Sequence, residues 1–413
     1  MSAAEPPPEA VIPPEELDSI SAAVRGYVER IKAGDVGSLP VIVGMLVIVI
    51  FFTIKSPVFF SSINFDNLIV QMAGTTVVAI GVVFVLLLGE IDLSIGYVSG
   101  IAGVTVAWLQ QPGTSHQLPG IVAILIAIAV GALIGVFQGS FVAFIGVPSF
   151  VVTLAGLLAW QGVIIRWIGG QGVIGIQDNL INDVANYVLP SWAAIVVGLL
   201  IVLGVAASVG ANFYSRHHHG LKMRSVPLAV LRVVMIAVVV FGVIAIASHG
   251  RARGVPFAGV LVVALLALWT FIAKRTTFGR HVYAVGGSAE AAHRAGINVK
   301  FIRVAVFAIS SGLAAVGGII FASRLNSVDL NAGGGTILLD AIAAAVIGGT
   351  SLFGGRGRVI SALLGALVIS TIGNGLSLIG SAAATQYIAT GVILLGAVVL
   401  DTVSRRRLAA SGR

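Results

Sequence analysis

Residues 67–96 read NLIVQMAGTTVVAIGVVFVLLLGEIDLSIG. From 67 to 89 there is no charged side chain. At about 1.5 Å of rise per residue, a helix over that stretch covers about 35 Å, enough to cross the roughly 30 Å hydrocarbon core of a bilayer. The stretch therefore reads as a membrane span. It stops at two acids, Glu90 and Asp92, followed by Ser94 and Gly96. A carboxylate beside a span is costly unless it faces a cavity or a partner.

Apolar runs of the same kind recur on both sides of it. With 67–89 they fall near 39–57, 96–111, 119–141, 149–168, 192–213, 227–248, 255–273, 301–323, 337–353, 359–380 and 384–401. The expected fold is an all-α, polytopic transmembrane helical bundle of about twelve spans, with a range of ten to twelve. The runs at 96–111 and 337–353 are short and glycine-rich, and are expected to be tilted, broken or re-entrant. Composition agrees: 58% of the 413 residues are hydrophobic and 10% are charged. A soluble domain carries about 25% charged residues, so this chain cannot cover a water-facing surface. Its 52 glycines suit helices that approach closely in lipid.

The chain has no cysteine, which excludes disulfides, thiolate metal sites and cysteine nucleophiles. Its net charge of +8 reads as basic loops on the cytoplasmic side rather than a nucleic-acid surface. With the N-terminus inside, nineteen Lys and Arg residues fall on cytoplasmic loops, and five (Lys55, Arg166, Arg251, Arg253, Arg324) fall outside. Both termini then come out cytoplasmic. Segment 249–253 is the exception to the bias. No cleavable signal peptide is evident before the first apolar run. Residues 1–36 read as a disordered, partly amphipathic cytoplasmic tail. The transmembrane body covers 37–403, and 404–413 forms a basic cytoplasmic tail.

Two four-span units, 67–168 and 301–401, resemble each other weakly. Ile91-Asp92-Leu93-Ser94-Ile95-Gly96 parallels Val328-Asp329-Leu330-Asn331-Ala332-Gly333. Gln138-Gly139 and Asn374-Gly375 follow at similar distances, as do Thr153 and Thr390. Chance among small apolar residues is the competing explanation. Opposite placement of the two aspartates would make the units inverted copies, with the middle spans 192–273 outside both. In transport proteins the pathway runs at such a repeat interface. On that reading Glu90, Asp92, Ser94, Gln138, Asp329, Asn331 and Asn374 are candidate pathway residues. For Asp92 a purely structural role stays open: it can cap the following helix with help from Ser94.

Other motifs exclude chemistry. The run GGTSLFGGRGR at 348–358 lacks the Gly-Lys-Ser/Thr ending of a nucleotide-binding loop. It reads as a tight inner turn anchored by Arg356 and Arg358. His217-His218-His219 reads as a solvated loop rather than a metal site. No catalytic residue, no metal ligand and no cofactor bound by this chain is expected, so the chain is not read as an enzyme.

Residues 274–303, KRTTFGRHVYAVGGSAEAAHRAGINVKFIR, are too long and too polar for a plain connection. Ser288 can cap a short helix over Ala289–Ala292, and Gly296 can end it. Such a helix could seat in a partner's groove.

These residues resemble a known family. Glu290-Ala291-Ala292 followed by Gly296 is similar to the coupling loop of ABC importer permeases. FGRHVYAVGG (278–287), EAAHRAGIN (290–298), LDAIAAAVIGGTSLFGGRGR (339–358) and Gly373-Asn374-Gly375 are similar to the ribose/xylose/arabinose-type sugar permeases. So are GEIDLSIG (89–96) and Val147–Leu154. Gln138 stands where that family usually has Asn, and Ser149 where it often has a second proline. The resemblance covers about 40–401. The extra spans at 192–273 look like the xylose branch.

The resemblance implies a permease subunit of an ATP-driven pentose importer in a bacterial cell membrane, paired with a second copy. It implies a separate cytoplasmic ABC ATPase that carries ATP and Mg, and an extracytoplasmic sugar-binding protein. Ser288, Glu290, Ala291, Ala292, Gly296, Ile297 and Asn298 are the implied ATPase-coupling residues. The alternative is an ion-coupled secondary transporter of a small polar solute, with Asp340 as its best buried acid. A membrane enzyme would need acid-rich metal–phosphate loops, and none is found.

Overall fold

The computed structural model describes the backbone over 39–220, 225–249 and 254–410. The expected N-terminal tail, Lys222, Arg224, Arg251, Arg253 and Arg413 lie outside the described residues, as do the side chains of Arg405–Arg407.

Twelve apolar helices match the twelve expected spans. They are α1 (Leu39–Lys55), α2 (Ser62–Leu87), α3 (Ile95–Trp108), α4 (Gly120–Ser140), α5 (Ser149–Ile168), α7 (Ser191–His218), α8 (Val226–Ala247), α9 (Phe257–Arg275), α12 (Val299–Leu325), α13 (Ile337–Ile347), α14 (Ile360–Leu378) and α15 (Ala383–Ala410). Among the described residues, eight are long and apolar enough to cross a membrane, and the other four offer apolar stretches of 10–17 residues. Three polar α-helices also occur among the described residues: α6 (Asn179–Asn186), α10 (Thr277–Gly287) and α11 (Ala289–Arg294). Helix α15 continues past the boundary expected at 403. Prolines 119, 148, 190 and 256 each stand immediately before a helix, where a missing N–H costs no hydrogen bond.

Helices α2 and α12 are the innermost, and their packing fixes the architecture. A Cβ at Gly74 would run into the Phe321 ring, one at Gly317 would meet Val78, and one at Gly81 would lie 2.8 Å from the Ser310 carbonyl oxygen. As residue numbers rise along α2 they fall along α12, so the two helices are antiparallel. On α4, Gly131, Gly135 and Gly139 press against Ser311, Phe307 and Val304 of α12 in the same sense. Small residues spaced by four let helix backbones touch where lipid supplies no hydrophobic drive between helices.

The packing of the two repeat units is reciprocal. Helix α2, first in its unit, packs on α13 and α14 of the other, while α12 packs on α3 and α4. Antiparallel equivalent helices with exchanged partners are what an inverted repeat produces. The second helix of each unit is short: α3 has 14 residues and α13 has 11, about 20 and 15 Å of rise. As straight helices neither is long enough to cross a bilayer core alone, as expected of the two short runs. The end of the 337–353 run is not helical; α13 stops at Ile347 and a turn follows.

A small cap closes one end. Strand β1 (Val173–Gly175) pairs antiparallel with β4 (Ser327–Asp329), and β2 (Val188–Leu189) pairs with β3 (Val255–Pro256). Ser323 near the end of α12 accepts from Ala185 N and donates to Asn182 O in α6. Helices α7 and α8 pack on each other at the rim and bury almost none of their apolar length.

Candidate functional site

The two short helices begin next to each other. A Cβ at Gly96 would sit 2.8 Å from the Gly333 carbonyl oxygen, and one at Gly333, where φ is +76°, would overlap the Gly96 carbonyl. The two aspartate segments also share a local geometry. Asp92 Oδ1 accepts the Ser94 N–H at 2.9 Å, and Asp329 Oδ1 accepts the Asn331 N–H at 3.0 Å. Each carboxylate thus closes a short turn on the residue two ahead of it, which ends the extended segment and starts the short helix.

Beyond this turn the two segments differ. Asp92, Ser94 and Gln138 are almost wholly buried. Ser94 Oγ donates to Asp92 Oδ1 at 2.7 Å and lies 2.9 Å from Gln138 Oε1. Ile91 is gripped by α5: its N–H donates to Ser149 Oγ at 3.2 Å, and its carbonyl accepts from Thr153 Oγ1 at 3.3 Å. Asp329 and Asn331 instead face a cavity of about 410 Å³ between the units. Gln71 and Thr75 of α2, Arg324 of α12, Asp340 of α13 and Asn374 of α14 also line it. Asn374 forms a reciprocal amide pair with Asn64, 2.9 Å each way, and donates to Gln71 Oε1 at 3.3 Å. Thr336 Oγ1 donates to Asp340 Oδ2 at 2.6 Å.

Of the seven residues expected on the pathway, Asp329, Asn331 and Asn374 line this cavity, whereas Glu90, Asp92, Ser94 and Gln138 do not. Gln138 and Asn374, equivalent by spacing, sit in unlike surroundings. Sequence reading missed Asn64, Gln71 and Arg324. The polar residues crowded into the first turns of α2, Asn64, Asp66, Asn67 and Gln71, were the available signal, since polar side chains inside spans usually have partners.

The polar loop at 274–303 folds as two helices. Thr276 caps α10, a helix inside the stretch expected to be loop, and Ser288 Oγ caps α11 by accepting Ala291 N–H at 3.2 Å. Gly296 ends α11 with φ +82°. Asn298 Oδ1 caps α12 by accepting Phe301 N–H at 3.0 Å. Ala292 is buried, while Glu290 and Ala291 face outward; Glu290 pairs with Arg294 at 3.0 Å. Burial raises the Tyr283 phenol above its ordinary pKa, and nearby Arg358 opposes the rise.

Two connections run from this loop to the Asp92 segment. Arg303 Nε lies 3.3 Å from Glu90 Oε1. Tyr283 donates to the Gly357 carbonyl at 2.9 Å, and Gly355 N–H donates to Leu87 O at 2.9 Å. The glycine run at 348–358 thereby ties α10 to the end of α2. His217 and His218 lie in the exposed last turn of α7, and no group of three or more metal-ligating side chains occurs among the described residues.

Residues 64–398 match the family described as branched-chain amino acid transport system / permease component. The xylose transport system permease protein XylH of Escherichia coli (strain K12) is 36% identical over 402 residues, 95% of this chain and 98% of that protein. XylH of Haemophilus influenzae is 36% identical over 381 residues, 92% of this chain and 100% of that protein. The ribose import permease protein RbsC of Escherichia coli (strain K12) is 31% identical over 362 residues, 87% and 92% of the two chains. No solved structure matches.

Proposed function

The chain belongs to this permease-component family, and on that premise we propose that it is the permease subunit of an ATP-driven sugar importer, of xylose type. The family description names amino acids, but the relatives reported above are named for xylose and ribose. The longer match and higher identity to XylH favour a pentose of the xylose kind. ATP and Mg bind a separate cytoplasmic ATPase, an extracytoplasmic binding protein delivers the sugar, and two copies of the chain assemble. The chain is a multi-pass membrane protein with both termini in the cytoplasm.

One observation carries the mechanism: α11 is exposed, yet its neighbours are joined to the Asp92 segment through Arg303–Glu90. The ATPase seats on Glu290 and Ala291. Ala292 and Ile297 anchor the helix to the bundle, while Ser288, Gly296 and Asn298 set its ends. Closure of the ATPases pushes α11, and α12 follows because Asn298 begins it. Arg303 then displaces Glu90, and with it the grip of α5 on Ile91. The inverted units rock about the antiparallel α2–α12 pair and open the pathway to alternate sides. Asp92, Ser94 and Gln138 act as the rigid inner hinge, and Asp329, Asn331 and Asn374 face the solute.

Uptake by proteoliposomes tests this. The chain with its ATPase, binding protein and ATP should accumulate D-xylose. Uptake by the chain alone on an ion gradient would overturn the proposal in favour of secondary transport through Asp340.

A further inference from the structure

We infer that the cavity inside each chain is a sugar-binding site that selects neutral polyols over sugar acids, a second filter after the binding protein. This rests on the sugar-importer reading above. Its volume of about 410 Å³ lies in the range of small-ligand pockets. Its polar groups are of both kinds that a polyol needs. Asp340 Oδ2 is occupied by the Thr336 hydroxyl, while Oδ1 accepts no hydrogen bond among the described residues. Asp329 supplies a second carboxylate, and Gln386 stands at the same wall with its amide nitrogen donating to Ser377 at 3.1 Å. On the donor side, α13 begins at the cavity without a side-chain cap at Thr336, and its first residue, Ile337, lines the cavity, so a helix-start N–H without an intrahelical partner can donate to a hydroxyl oxygen. Arg324 adds a guanidinium.

The charge balance sets the selection. Two carboxylates face one guanidinium, so a ligand carrying its own carboxylate meets net repulsion. A neutral sugar offers each hydroxyl as donor to Asp340 or Asp329 and as acceptor to the Ile337 N–H or Arg324. Because all these residues come from one chain, each copy in a dimer has its own site.

Equilibrium binding of radiolabelled D-xylose and D-glucuronate to the purified full-length chain in nanodiscs, without binding protein or ATPase, tests this. Wild type should bind xylose saturably and glucuronate at least about tenfold more weakly, the size of one charge-assisted hydrogen bond. Asp340→Asn should weaken xylose and raise the glucuronate-to-xylose affinity ratio about tenfold. A misfolded variant cannot produce that gain. Gln386→Leu should weaken xylose without raising the ratio. No saturable binding to wild type, or an unchanged ratio in Asp340→Asn, would overturn the inference. ATP-driven xylose uptake by the complete transporter, measured on the same preparation, separates the outcomes: uptake without binding sinks only the inference, whereas absent uptake sinks the importer reading.

Discussion

Arg303 Nε lies 3.3 Å from Glu90 Oε1, joining the first turns of α12 to the segment that leads into Asp92. The pair is partly exposed, and such pairs contribute about 0–1 kcal/mol to stability. Its importance is therefore mechanical. Glu90→Ala and Arg303→Ala should each insert and fold with little change in melting temperature. Each should cut ATP-driven xylose uptake about tenfold while ATP hydrolysis by the assembled transporter persists. The double exchange Glu90→Arg/Arg303→Glu should recover part of the uptake. Uptake per ATP hydrolysed is the readout.

Gly296 separates backbone strain from crowding. Nothing lies within 4 Å of where its Cβ would be, yet φ is +82°. Gly296→Val should strain the end of α11 by about 1–2 kcal/mol, whereas Gly296→Asn adopts this conformation more easily. The valine variant should reach the membrane but lose uptake, and the asparagine variant should keep most of it.

Close helix packing is tested by paired glycines. A Cβ at Gly135 would overlap the Phe307 carbonyl, whereas one at Gly162 meets nothing within 4 Å. Gly135→Ala should cost about 1–3 kcal/mol, the range for overpacked cores, and lower the melting temperature in detergent. Gly162→Ala should leave it unchanged.

The amide pair Asn64–Asn374 is buried. Asn374→Leu strands Asn64 Oδ1, although Asn64 Nδ2 keeps its bond to the Phe59 carbonyl, at a cost of about 1–3 kcal/mol. Replacing both by leucine removes the stranded group, so Asn64→Leu/Asn374→Leu should be more stable than Asn374→Leu alone. Thermal unfolding of the three proteins decides it.

Much of this was legible in the sequence because lipid imposes a simple code: an uncharged run of spanning length is a helix. All twelve spans followed from that rule, and the short glycine-rich pair was already marked as irregular. Ser288 and Gly296 announced the ends of α11 by residue type. Helix α10 escaped, although Phe278, Val282 and Val285 fall at helical spacing and Val282 and Val285 are buried. Its polar setting hid a short amphipathic face. Long-range partners were not legible. Spacing matched Asn374 to Gln138, but Asn374 bonds Asn64, 310 residues away, whereas Gln138 Oε1 lies 2.9 Å from Ser94 Oγ of its own unit. Arg303–Glu90 likewise depends on the antiparallel meeting of α2 and α12, which no local pattern encodes.

The central claim is that force enters through the exposed face of α11, and site-specific cross-linking tests it most directly. The chain has no cysteine, so Ala291→Cys provides a unique thiol, and Asn179→Cys provides one on α6 at the opposite end. With a short bifunctional thiol–amine reagent in the assembled transporter, Ala291→Cys should yield an adduct with the ATPase subunit and block ATP-driven xylose uptake. Asn179→Cys should yield no ATPase adduct. An ATPase adduct at Asn179→Cys but not at Ala291→Cys, or full uptake by the cross-linked Ala291→Cys transporter, would contradict the account.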